Sequence, residues 1–215
     1  MPLILIDLDN TLVDRAADYL RWVEKFVADN NLTPDFLERL VELDNDGVVV
    51  RTDFVVKVSQ EMNSQLSPDE VLKHYRVHHT RSSHLESNIK NALVNLKSHG
   101  HTLAIVSNGP PHQHDVIKNT GLANLVDTWV VSDTVGISKP DRKIADVVAE
   151  KLNMQLTKGF VIGDSIVDIE LAKNIDFKSI WLTRGRTWSL KEFNPHFSVN
   201  TFVEATELIL NGETS

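Results

Sequence analysis

Two aspartates, Asp7 and Asp9, stand two residues apart at the end of the apolar run of residues 3–8, in the segment Asp7-Leu8-Asp9-Asn10-Thr11. A second acidic pair, Asp164 and Asp168, follows a later apolar run in Gly163-Asp164-Ser165-Ile166-Val167-Asp168. Either pair alone is also good chemistry for a strand-end turn or a helix cap. Brought into one crevice, four carboxylates repel one another and require a cation or displaced pKa values. An all-oxygen donor set without cysteine or paired histidine favours a hard ion, with magnesium first. Ser107-Asn108-Gly109, ahead of Pro110-Pro111, offers a hydroxyl and backbone N–H groups at a predicted helix start, where a phosphoryl oxygen is well held. Lys139, ahead of Pro140-Asp141 and a predicted proline-led helix, supplies compact positive charge for developing oxyanions.

The elements that position these groups are legible as an alternation. Residues 3–8, 101–106, 128–131, 160–162 and 179–182 read as short buried strands, separated by helical spacing such as Ile89, Ala92, Leu93 and Leu96 before Gly100. Alternating strands and helices predict an α/β fold, a Rossmann-like parallel sheet with helices on both faces, whose ligands bind beyond the carboxyl ends of the strands. The alternation stops between residues 13 and 85, where the signals are helical throughout. Val13, Ala16, Leu20, Val23 and Val27 predict one amphipathic stripe, Thr33-Pro34 and Thr52 open two further helices, and Ser67-Pro68-Asp69-Glu70 opens a fourth through a capping box. Residues 46–51, Asp-Gly-Val-Val-Val-Arg, read as a loop or tight turn, and residues 211–215 as a frayed tail. The expected organisation is a core domain of residues 1–13 and 85–215 and an all-helical domain of residues 14–84.

Asp7-x-Asp9-x-Thr11, Ser107, Lys139-Pro140 and Gly163-Asp164-x-x-x-Asp168, in that order, resemble the four motifs of the haloacid dehalogenase (HAD) superfamily. The likeness covers roughly residues 1–13 and 85–200, and the helical insert is similar to the small cap of its phosphatase branch. The resemblance implies a magnesium-dependent hydrolase of small phosphate monoesters. Asp7 would be the nucleophile that forms an aspartyl phosphate, and Asp9 the general acid and base. Magnesium would be held by Asp7, the carbonyl of Asp9 and Asp164, with Asp168 in support. Ser107, Asn108 and Gly109 would hold the phosphoryl group while Lys139 balances charge and the Thr11 hydroxyl braces the loop. A sugar-phosphate mutase shares these motifs. A halide-releasing dehalogenase shares the fold but has no need of Asp9 or the metal. A receiver-type signalling domain places its acidic groups earlier in the chain, and a decayed binding module would not retain the full set.

The remaining signals are weaker. His74 and His78, spaced i, i+4 beside His79 and His84, are expected at the surface, since no glutamate or cysteine completes a zinc pattern. His112 and His114 are expected on a helix surface. Tyr19 and Trp22 are expected to pack the helical domain, Arg51 is a candidate for substrate contact, and 184–188 form a basic and aromatic loop of unassigned purpose. The 215 residues hold no cysteine, which excludes disulfides, thiolate sites and a cysteine nucleophile. A net charge of −8 argues against nucleic-acid polymers as partners. Residues 1–6 make a poor signal peptide, and no run suits a membrane span, so a cytoplasmic location is expected.

Overall fold

The computed structural model describes residues 2–45, 49–63 and 65–212. Residues 46–48 of the turn expected over 46–51 and the last three residues of the expected tail lie outside them; Arg51, expected to close that turn, instead opens a helix. By its internal contacts the chain forms two compact units, Met1–Val13 with Leu85–Ser215, and Asp14–His84.

The first unit is built on β1 (Leu3–Ile6), β2 (Thr102–Ser107), β3 (Thr128–Val131), β4 (Gly159–Gly163), β5 (Lys178–Leu182) and β6 (Phe197–Val199). They form one parallel sheet in the order β3-β2-β1-β4-β5-β6. The alternation of β1 explains why its run is apolar throughout. Ile4 and Ile6 enter one core layer with Leu93, Leu96 and Ile117, whereas Leu3 and Leu5 enter another with Ile144, Val148 and Leu171. A strand buried on both faces has no solvent side to mark with polar residues. The helices on the first face are α5 (Ser87–Ser98), α6 (Gln113–Asn119) and α10 (Phe202–Leu210), and those on the second are α8 (Lys143–Leu152) and α9 (Ile166–Asn174). The short α7 (Ser132–Val135) follows β3 directly.

Two boundaries and one strand stand out against expectation, and the helix expected to open at Pro110-Pro111 begins at Gln113. β1 ends at Ile6 rather than at Leu8, because Leu8 turns the chain: its carbonyl accepts from Leu12 N at 2.9 Å and Val13 N at 3.1 Å. The helix expected to begin at Pro140 begins at Lys143, where the Asp141 carboxylate accepts from Lys143 N at 2.9 Å. The edge strand β6 was not expected at all, since its three residues are half-buried or exposed and pair only through β5.

The second unit contains α1 (Arg15–Asp29), α2 (Asp35–Asp44), α3 (Arg51–Glu61) and α4 (Pro68–Ser82). The capping box at Ser67 and Glu70 forms as the sequence predicts. The stripe expected on α1 is rotated: Leu20 is 42% exposed, and the helix buries Tyr19, Trp22, Val23 and Phe26 against Phe54, Val58 and Tyr75. The larger aromatic area outweighs the aliphatic pattern.

Candidate active site

β1 is the central strand, and its carboxyl end carries Asp7, whose N–H donates to the Ile162 carbonyl at 2.9 Å and continues the ladder toward β4. Asp164 follows β4 and Asp168 lies in the first turn of α9, where Ser165 N and Oγ both donate to its Oδ2. Gly163 makes room for this return, since a Cβ there would fall 2.3 Å from Asp168 Cγ. Oxygen atoms of Asp7, Asp164 and Asp168 all lie within 4.8 Å of one another. Three carboxylates therefore converge, rather than the four expected. The Asp9 carboxylate is instead held by Gln113 of α6, whose Nε2 donates to Oδ2 at 2.8 Å.

Lys139 is buried among these acids, with Nζ 2.5 Å from Asp7 Oδ1 and 2.7 Å from Asp168 Oδ1. The residue is 4% exposed and Asp168 is fully buried. Its backbone is fixed from β2: Lys139 N donates to Asn108 Oδ1 at 2.8 Å, and Asn108 Nδ2 donates to the Lys139 carbonyl at 2.9 Å. Asp164 is met by Arg186, whose guanidinium donates to Oδ2 at 2.9 Å and to the backbone carbonyl at 2.7 Å, while Trp181 Nε1 donates to the same carbonyl. Arg184 reaches the Asn10 carbonyl at 3.2 Å. The 184–188 loop thus fastens the acidic turns, a role its composition alone did not reveal.

Charge balance follows from this arrangement. Burial pushes the Asp7 carboxyl up to about 8; Lys139 opposes the shift, and Asp168 and Asp164 add to it. Burial works against the Lys139 ammonium, yet Asp168 and Asp7 outweigh it and hold its pKa above the ordinary value. Burial, then Asp168, raises Asp164, against the pull of Arg186. Three carboxylates against two cations leave an excess of negative charge, which a proton on Asp7 relieves. A divalent cation would relieve it in the proton's place, and an all-carboxylate donor set suits magnesium.

Ser107 ends β2 and is buried, and Gly109 N donates to Ser132 Oγ at 3.0 Å. Thr11 is buried, but its hydroxyl has no protein partner among the described residues, so the loop is braced by the backbone turn on Leu8 and not by that side chain. Arg51 belongs to the second unit and is engaged there. It pairs with Asp44 at 3.0 Å and stacks over Tyr75 and Phe54 at 4.2 and 4.7 Å from the ring centroids.

The histidines resolve individually. His79, expected at the surface, is buried and stacks on Tyr75 with ring centroids 4.6 Å apart. Asp29, His74 and His78 are close enough to share an ion. However, Trp22 Nε1 donates to His74 Nδ1 at 3.1 Å, which leaves the neutral ring's proton on Nε2, 2.9 Å from Asp29 Oδ2. A metal on that nitrogen would have to displace the proton, so Trp22, His74 and Asp29 form a hydrogen-bonded chain. His114 is likewise fixed, accepting from Trp129 and donating to Thr134.

The family model described as haloacid dehalogenase-like hydrolase matches residues 4–182. The chain belongs to this family. Among curated HAD relatives, a phosphoglycolate phosphatase of Agrobacterium fabrum is 28% identical over 211 residues, covering 95% of this chain and 91% of that protein. One from Colwellia psychrerythraea is 27% identical, covering 94% and 93%. Among solved structures, a Bacillus subtilis HAD-hydrolase bound to magnesium superposes with a TM-score of 0.79 at 22% identity, covering 98% of each chain. That likeness establishes the HAD fold, an α/β parallel sheet with helices. The chain is a HAD-like hydrolase.

Proposed function

We propose that this HAD hydrolase is a magnesium-dependent phosphatase of small phosphate monoesters, with Asp7 as nucleophile and Asp9 as general acid and base. The observation that carries the reading is the Lys139 ammonium wedged between Asp7 and Asp168, with an Asp164 oxygen within 4.8 Å of theirs. One carboxylate oxygen of Asp7 attacks phosphorus; the bond from phosphorus to the ester oxygen breaks, and that oxygen leaves with the electron pair and takes a proton from Asp9. Asp9, now a carboxylate, removes a proton from water, whose oxygen attacks the aspartyl phosphate. Inorganic phosphate departs and the Asp7 carboxylate is restored.

Asp7, the backbone carbonyl of Asp9 and Asp164 would hold magnesium, with Asp168 supporting them through Lys139. Bound there, the ion supplies positive charge to the phosphoryl oxygens and keeps Asp7 ionised. Ser107 and the Asn108 N–H hold phosphoryl oxygens, whereas the Gly109 N–H expected to join them is taken by Ser132 Oγ; Lys139 neutralises charge that builds in the transition state. The Asn108 side chain aims Lys139 by gripping its backbone. The helical unit is assigned the choice of substrate, and Arg51 there serves chiefly to pack Asp44, Tyr75 and Phe54. The names of the two curated relatives support 2-phosphoglycolate as the first ester to test. A cytoplasmic location belongs to the same reading; no helix among the described residues is long and apolar enough to cross a membrane.

The test is phosphate release from a metabolite panel that includes 2-phosphoglycolate and hexose phosphates, with and without magnesium, for wild type and Asp7→Asn. Magnesium-dependent release abolished by the substitution is the expected result. Accumulation of a sugar-phosphate isomer in place of phosphate would make the protein a mutase, and turnover by Asp7→Asn would remove the nucleophile assignment.

A further inference from the structure

Proton delivery in the proposed reaction depends on where the Asp9 carboxylate points, and one buried side chain holds one of its oxygens. Gln113, in the first turn of α6, is 4% exposed and donates its Nε2–H to Asp9 Oδ2 at 2.8 Å across 104 residues of sequence. A Cβ added at Gly109 would fall 2.4 Å from Gln113 Oε1, 2.5 Å from Cδ and 2.6 Å from Nε2. The amide thus lies against the bare face of Gly109. Gly109 is itself pinned, its N–H to Ser132 Oγ at 3.0 Å and its carbonyl by Asp133 N at 3.3 Å. The other end of the amide, Oε1, is buried without a protein partner among the described residues. A buried acceptor left in that state is costly, so the amide is held in place for the bond its nitrogen makes.

We infer that Gln113 is a positioning residue for the general acid, and that Gly109 is glycine in order to admit it. The inference rests on the phosphatase reading above. Gln113 holds the Asp9 carboxyl group by Oδ2, and the group so held passes its proton to the leaving oxygen, which accepts it as the bond to phosphorus breaks. Fixing the donor atom converts a swinging carboxyl group into an aligned one, and alignment is a large part of what a general acid contributes.

The discriminating measurement is leaving-group dependence. An alkyl phosphate expels a strongly basic alkoxide and needs the proton, whereas 4-nitrophenyl phosphate expels a stable phenolate and does not. For Gln113→Leu, kcat/KM, which reads only the steps through formation of the aspartyl phosphate, should fall about 10- to 100-fold on the best alkyl ester and change less than about 3-fold on 4-nitrophenyl phosphate. Magnesium affinity, measured by calorimetry, should stay at the wild-type value. Gln113→Met, which keeps an unbranched side chain of similar length and removes only the amide, should reproduce the same selective loss and serves if Gln113→Leu folds poorly. Equal losses of kcat/KM on both esters, or none on either, would overturn the inference and leave the phosphatase reading standing. A wild type that hydrolyses neither ester overturns both.

Discussion

Magnesium affinity should depend steeply on pH, because a proton and the ion compete for Asp7. In the metal-free protein the Asp7 carboxyl is pushed up to about 8 by burial and by Asp168 and Asp164, against the opposing Lys139. From that value about 1% of molecules carry an ionised Asp7 near pH 6 and about half near pH 8, so the apparent affinity should rise about 50-fold between them and level off above. The raised pKa of Asp164 acts in the same direction. Isothermal titration of metal-free protein with magnesium chloride near pH 6, 7 and 8 measures this. Asp7→Asn should weaken binding and flatten most of the pH dependence. The sign extends to stability. An acid whose pKa rises on folding takes up a proton in the native state, so its contribution to stability falls as pH climbs from about 4 toward 8. Asp7→Asn should therefore gain stability relative to wild type over that window, measured without metal. A wild-type affinity constant within about threefold from pH 6 to 8 would refute the claim that buried, uncompensated charge sits on Asp7.

Three further outcomes follow from packing and charge. Lys139→Met should strand Asp168 and Asp7 in the interior, costing about 3–5 kcal/mol in urea unfolding and at least about 100-fold in kcat. Gly159→Ala places a Cβ 2.1 Å from the Leu3 carbonyl oxygen and 2.5 Å from the Phe177 ring, and because the first is backbone it cannot step aside. A cost of about 1–3 kcal/mol, read as a lower Tm, is expected. Trp22→Ala empties the middle of the aromatic cluster with Tyr19, Phe26, Phe54 and Tyr75, for about 3–5 kcal/mol. Hydrogen exchange should rise across α1–α4 while amides of β1 and β4 keep their protection.

The parallel sheet was legible because strands buried on both faces leave unbroken apolar runs, and because Asp7, Ser107 and Asp164 stand where those runs stop. The helices between residues 15 and 82 were legible through caps such as Ser67 and Glu70. The short edge strand 197–199 was not, since an edge segment with an exposed Ser198 carries no such run. Leu20 misled because aliphatic spacing ignores how much area Trp22 and Phe26 must bury. Within the site, residue types announced the acids and the lysine, but the links among them were silent. Gln113 to Asp9 and Asn108 to Lys139 are tertiary hydrogen bonds between neutral amides and distant segments, and an isolated Gln or Asn carries no pattern by which its partner can be read. Thr11 is the converse case, a residue singled out for its hydroxyl whose backbone does the bracing.

The reciprocal Asn108–Lys139 pair and the Lys139 bridge to Asp7 and Asp168 join segments that leave β1, β2 and β4. No two of these four residues are near in sequence, so none of the links forms in an isolated hairpin or helix. The ammonium is correctly placed only after the three central strands have docked in register. Enzyme activity is therefore a late reporter of assembly. During refolding, helical signal should return first and turnover only with the last closure of the sheet, which makes a simple hydrolysis assay a stricter measure of native structure than circular dichroism.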